Sequence, residues 1–151
     1  FNWLHVVGQN NYENYLRELE QAGIDLASYG NIRIEPYIYH MENALATASL
    51  VIGRAGASFL AEITARGLPS ILIPYPFAAE NHQVHNAKAL EAEGAAIVIK
   101  DQNLTGEILY DRIINLYLHP LKLKNMEEGA KKLGKPAALA QILKEISRLM
   151  D

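Results

Sequence analysis

The chain has 151 residues, 50% hydrophobic and 21% charged, which suits one globular domain burying its own core and leaves no room for a disordered class. A formal charge of −3 offers no basic field for nucleic acid, and the absence of cysteine removes disulfides, thiolate metal sites and cysteine nucleophiles, in keeping with a reducing cytosol. No apolar run approaches the roughly 20 residues needed to span a bilayer, and the first residues lack the layout of a signal peptide.

Phe1-Asn2-Trp3 reads as strand from the start and carries no initiator Met, as in a piece of a longer polypeptide. Trp3 to Val7 is a buried-strand candidate that His5 helps to end before Gly8. Tyr12, Tyr15, Leu16 and Leu19 then recur at helical spacing until Gly23. Ile32 to Ile34 is a second strand, stopped by Pro36, and a helix from about Met41 to Ala48 leads to a third, Leu50 to Ile52. The next helix, Ala57 to Arg66, ends at Gly67, suited to a left-handed cap, and Pro69 forbids continuation. Ser70 to Ile73 is a fourth strand, a helix from about Asn81 to Glu93 is capped by Gly94, and Ala95 to Ile99 is a fifth strand. After Thr105 the chain reads as helix. Its last stripe of Leu139, Ile142, Leu143, Ile146, Leu149 and Met150 is assigned to core packing, as are Tyr12, Tyr15, Tyr110 and Tyr117.

Short apolar strands alternating with amphipathic helices call for a parallel sheet covered on both faces, an α/β Rossmann-like domain spanning 1–151 whose helical tail runs from about 105 to 151. Ligands in such sheets sit at the carboxyl ends of the strands. Gly8, Pro36 to His40, Gly53 to Ser58 and Tyr75 to Gln83 all fall there, so four loops point to one cleft.

The most telling stretch is Leu50-Val51-Ile52-Gly53-Arg54-Ala55-Gly56-Ala57-Ser58, a strand passing through a Gly-rich turn into a helix. Such a turn either packs a tight connection or makes an anion site, because helix-start amides and the positive end of the dipole face it. Glu62 can accept hydrogen bonds from hydroxyls beside a phosphate, and phosphate plus diol suggests a nucleotide. His82 and His85 lie three apart with no third ligand evident, so no metal is assigned.

Gly53-Arg54-Ala55-Gly56-Ala57-Ser58, Ala61-Glu62-Ile63, Gly67-Leu68-Pro69-Ser70, Ala79-Glu80-Asn81-His82-Gln83, Asn86-Ala87 and Gly94-Ala95-Ala96, in unbroken order, resemble the donor half of the MurG family of bacterial lipid-intermediate glycosyltransferases. The resemblance implies the C-terminal half of a GT-B fold and transfer of N-acetylglucosamine from UDP-GlcNAc to a lipid-linked acceptor, making lipid II in peptidoglycan synthesis. It implies no metal cofactor, a general base and acceptor domain outside this chain, and a peripheral location on the cytoplasmic face of the membrane. Carried over by position, Ile38 meets the uracil edge, the amides of Gly56, Ala57, Ser58 and Phe59 face the diphosphate, and Glu62 holds the ribose. Asn81, His82 and Gln83 read the sugar, and Arg54 is either a counter-charge to phosphate or a surface ion pair. The family's first Gly-rich turn and its central strand are not found before Phe1, which would leave a gap between the first and third strands unless the sheet closes around it. Two alternatives are a nucleotide-sugar-binding subunit of a two-chain glycosyltransferase and a UDP-GlcNAc 2-epimerase-like domain.

Overall fold

A computed structural model describes residues 1–150; the last residue of the expected 1–151 span lies outside them. The elements follow in the order β1 (Trp3–Val6), α1 (Tyr12–Gln21), β2 (Ile32–Glu35), α2 (Met41–Thr47), β3 (Val51–Gly53), α3 (Ala57–Ala65), β4 (Ser70–Leu72), α4 (His82–Ala92), β5 (Ala96–Val98), α5 (Gly106–Leu118), α6 (Pro120–Leu133) and α7 (Ala138–Met150). The chain divides into two compact units, 1–44 and 45–151. The described strands form two parallel sheets, β1–β2 and β3–β4–β5.

In the first unit β1 runs parallel to β2 with Trp3 opposite Ile32 and Val6 opposite Glu35, and α1 is the crossover. The expected buried strand is only half-buried: Leu4 and Val6 are exposed while Trp3 and His5 are partly covered. The reason lies in the pleat. Residues alternate between faces, and the single crossover helix covers one of them, where the His5 and Tyr15 rings meet edge to face at 5.1 Å. His5 stands inside the strand, not at its end. Burial there pushes its imidazole pKa below the ordinary value.

The second unit is built on β4, every residue of which is buried. Successive side chains of a strand point to opposite faces, so Leu72 joins a cluster with Leu60 and Ile63 of α3 and Ala87 and Leu90 of α4. Ile71 and Ile73 join another with Leu116 of α5 and Met126 of α6. Helix α6 serves both faces, because Ala130 lies in the first cluster and Met126 in the second. This is the doubly covered parallel sheet expected from the apolar strands.

Helices α1, α3 and α4 stop as their glycines predict. Gly23, Gly67 and Gly94 take φ of +74°, +70° and +69°, and the amide after each reaches back to Leu19, Ile63 and Leu90. The tail differs from expectation. Leu139, Ile142, Leu143, Ile146, Leu149 and Met150 are all exposed on α7, and so are Tyr110 and Tyr117 on α5. Helical spacing shows that a face is apolar; it does not show that the same chain covers it. Among the described residues no helix is long and apolar enough to cross a membrane.

Candidate functional site

The turn between β3 and α3 is held from both sides. Ala55 is fully buried, and both of its backbone groups bond to side chains of α4. Gln83 Oε1 accepts the Ala55 N–H at 3.2 Å and the Tyr75 N–H at 3.0 Å, while Asn86 Nδ2 donates to the Ala55 carbonyl at 3.2 Å. Three residues apart on a helix, Gln83 and Asn86 share a face, and between them they join the turn after β3 to the loop after β4.

Gly56 is the N-cap of α3, with φ −70° and ψ 142°, and has no side chain with which to cap it. Leu60 N–H donates to the Gly56 carbonyl at 3.0 Å. Among the described residues the amides of Ala57, Ser58 and Phe59 meet no acceptor, so the positive end of a nine-residue helix lies open at the carboxyl end of β3. Gly53 is needed for a different reason. A Cβ there would lie 3.0 Å from the Phe59 ring, which packs directly on the turn.

Arg54 leaves the same turn and is spoken for. Its guanidinium donates to the Ile73 carbonyl at 3.2 Å and the Pro74 carbonyl at 3.5 Å, pairs with the Asp101 carboxylate, and lies 5.6 Å from the Tyr75 ring centroid. The ion pair allowed for Arg54 is thus formed, with Asp101. Glu62, on the second turn of α3, is exposed on the side that carries Ser58 four residues earlier.

The loop before α4 carries backbone strain. Glu80 and Asn81 are consecutive non-glycine residues in the left-handed region, at φ 49° and 54°, a conformation that costs on the order of 1–2 kcal/mol each and gathers at functional sites. His82 Nδ1 lies 2.7 Å from the Ala79 carbonyl, which steadies this bend, and the Asn81 and His82 side chains are exposed. Phe77 projects into solvent at 82% exposure, its ring 5.7 Å from that of Tyr75. Among the described residues no group of three or more His, Asp or Glu side chains gathers to hold a metal.

In the first unit, Ile38 is half-buried just after β2, between exposed Tyr37 and Tyr39 whose rings meet at 5.1 Å. Within the second unit the structure brings Arg54, Gly56, Ala57, Ser58, Phe59 and Gln83 into one neighbourhood. Sequence reading gave Asn86 and Asp101 no role. The signal for Asn86 was its place one turn after Gln83; Asp101, 47 residues from Arg54, had none.

A family model described as the glycosyltransferase family 28 C-terminal domain matches residues 1–142. The chain belongs to that family. Glycosyltransferase family 28 relatives include the UDP-N-acetylglucosamine–N-acetylmuramyl-(pentapeptide) pyrophosphoryl-undecaprenol N-acetylglucosamine transferases of Desulforamulus reducens and Moorella thermoacetica, each 53% identical over 97% and 98% of this chain. This family 28 chain spans 40% of the length of each. Among solved structures, Acinetobacter baumannii MurG superposes with a TM-score of 0.80 at 28% identity, covering 97% of this chain and 43% of that one. The glycosyltransferase VinC, solved with dTDP, shares the fold at a TM-score of 0.63 and 14% identity, covering 98% of this chain and 42% of its own.

Proposed function

We propose that this chain is the donor-nucleotide half of an inverting glycosyltransferase that moves N-acetylglucosamine from UDP-GlcNAc to the lipid-linked muramyl-pentapeptide acceptor, making lipid II. The observation that carries the reading is the uncapped amide set of Ala57, Ser58 and Phe59, facing out of a turn that α4 holds by both backbone groups of Ala55. Three fixed N–H dipoles and a helix N-terminus in a preformed turn suit a diphosphate whose charge grows as it leaves. The transferase names of relatives 53% identical supply the sugar and the acceptor class.

In this mechanism an acceptor oxygen attacks the anomeric carbon from the face opposite the diphosphate. The new C–O bond forms as the bond to UDP breaks, its electron pair passes to the β-phosphate oxygen beside the α3 amides, and configuration inverts. The acceptor proton goes to a base outside this chain. Glu62 accepts from the ribose hydroxyls, and Asn81, His82 and the amide nitrogen of Gln83 face the sugar. Amides and the helix dipole take the leaving charge without a metal. The complete enzyme works peripherally at the cytoplasmic membrane face, where its lipid acceptor lies.

Calorimetric titration of the chain tests this. UDP-GlcNAc is expected to bind more tightly than UDP-glucose, and Glu62→Ala to weaken UDP at least about tenfold, since a hydrogen bond to a charged group contributes about 1.5–3 kcal/mol. Equal binding of UDP by the wild type and Glu62→Ala would remove Glu62 from the site.

A further inference from the structure

The exposed stripe of α7, the cavity lined by Arg66, Pro69, Pro120 and Lys124, and the strained Glu80–Asn81 bend each lack an observation naming what would occupy them. Asn86 is different, because the structure shows what it acts through. We propose that Asn86 is a positioning residue that keeps the Phe59 amide in the first turn of α3 available to the diphosphate by holding the Ala55 carbonyl away from it. The inference rests on the nucleotide reading above and adds to it a residue that need not touch the nucleotide.

The Asn86 side chain and the Phe59 N–H compete for one acceptor, the Ala55 carbonyl. In an α-helix each carbonyl accepts the amide four residues on, so the Ala55 carbonyl is the natural partner of the Phe59 N–H. If Gly56, unrestricted by a side chain, turned from ψ 142° to helical values, α3 would grow by one residue and that bond would close the Phe59 amide. It does not close, because Asn86 Nδ2 occupies the Ala55 carbonyl at 3.2 Å. Gln83 Oε1 holds the N–H of the same residue, so Ala55 cannot rotate without breaking two bonds in a fully buried position. The chemistry also fixes the amide orientations. An atom that meets two backbone N–H groups must be the Gln83 oxygen, and an atom that meets a carbonyl must be the Asn86 nitrogen.

Asn86→Leu tests this, keeping a similar size and removing the donor without adding a charge. UDP and uridine are titrated into the wild-type and Asn86→Leu chains, with thermal unfolding followed in parallel. A wild type that prefers UDP to uridine, with UDP affinity falling about tenfold in Asn86→Leu while uridine affinity holds, supports the proposal. An unchanged ratio of UDP to uridine affinity overturns it, as does an equal loss of both ligands, which marks a merely structural residue. A wild type with no preference for UDP defeats the diphosphate site itself, a failure separate from that of Asn86. Should Asn86→Leu not fold, Asn86→Ser is measured in the same way, and hydrogen exchange of the Phe59 amide is read in the unsubstituted chain. Exchange at the rate of an open helix start supports the proposal; protection like that of the α3 interior overturns it.

Discussion

Arg54 and Asp101 form an ion pair across 47 residues that ties the turn after β3 to the turn after β5, the strands flanking buried β4. The pair is half-exposed, so its expected coupling is about 0.2–1 kcal/mol. Arg54→Ala should cost more than Asp101→Asn, because Arg54 also serves the carbonyls of Ile73 and Pro74. A double-mutant cycle in urea checks this. Strict additivity of the two losses would mean that the pair contributes nothing.

Substitutions at Gln83 can separate its hold on the turn from its proposed contact with the sugar. Gln83→Ala leaves the amides of Ala55 and Tyr75 without their acceptor and should cost about 1–3 kcal/mol of stability. Gln83→Glu keeps an oxygen for both amides, loses the NH2 donor and gains a carboxylate charge. It should therefore unfold near the wild type while binding UDP-GlcNAc no better than UDP. Equal destabilisation by both substitutions would refute this division.

Helix α6 crosses the end of α4 on Gly129, where a Cβ would lie 2.3 Å from the Glu93 carbonyl oxygen. Backbone cannot step aside as a side chain can, so Gly129→Ala should destabilise by about 1–3 kcal/mol. The melting temperature would fall about 2–4 °C for each kcal/mol. Gly106→Ala, at a helix position with open space around the new methyl, is the control and should not lower it.

His5 sets a pH dependence. Its folded pKa is lowered by burial, so the unfolded chain binds the proton more readily. Stability of the first unit is then greatest above the unfolded value of about 6.5 and declines as pH drops from there through the folded pKa. An NMR titration should find the His5 ring protons shifting at lower pH than the ordinary imidazole value of about 6.5. His5→Gln should flatten the stability profile between pH 5 and 7, and a slope that survives the substitution would assign it elsewhere.

Legibility in the sequence followed the range of the forces involved. Gly23, Gly67 and Gly94 announced three helix ends because a left-handed cap is a local demand of the backbone. The two-sided core around β4 was legible because an unbroken apolar strand has only one comfortable place. What escaped was set by neighbours far along the chain: the hold of Asn86 on Ala55, the Asp101 partner of Arg54, and the exposure of Leu4, Tyr110 and the α7 stripe. Periodicity encodes an apolar face, and exposure depends on what arrives to meet it.

That stripe has a colloidal consequence. Leu149 and Met150 stand more than four-fifths in water, and Leu139, Ile142, Leu143 and Ile146 about half or more, along one terminal helix. Wetted hydrocarbon on this scale lowers the solubility ceiling of the polypeptide in water. Salting-out anions would depress that ceiling further, and mild detergent would raise it.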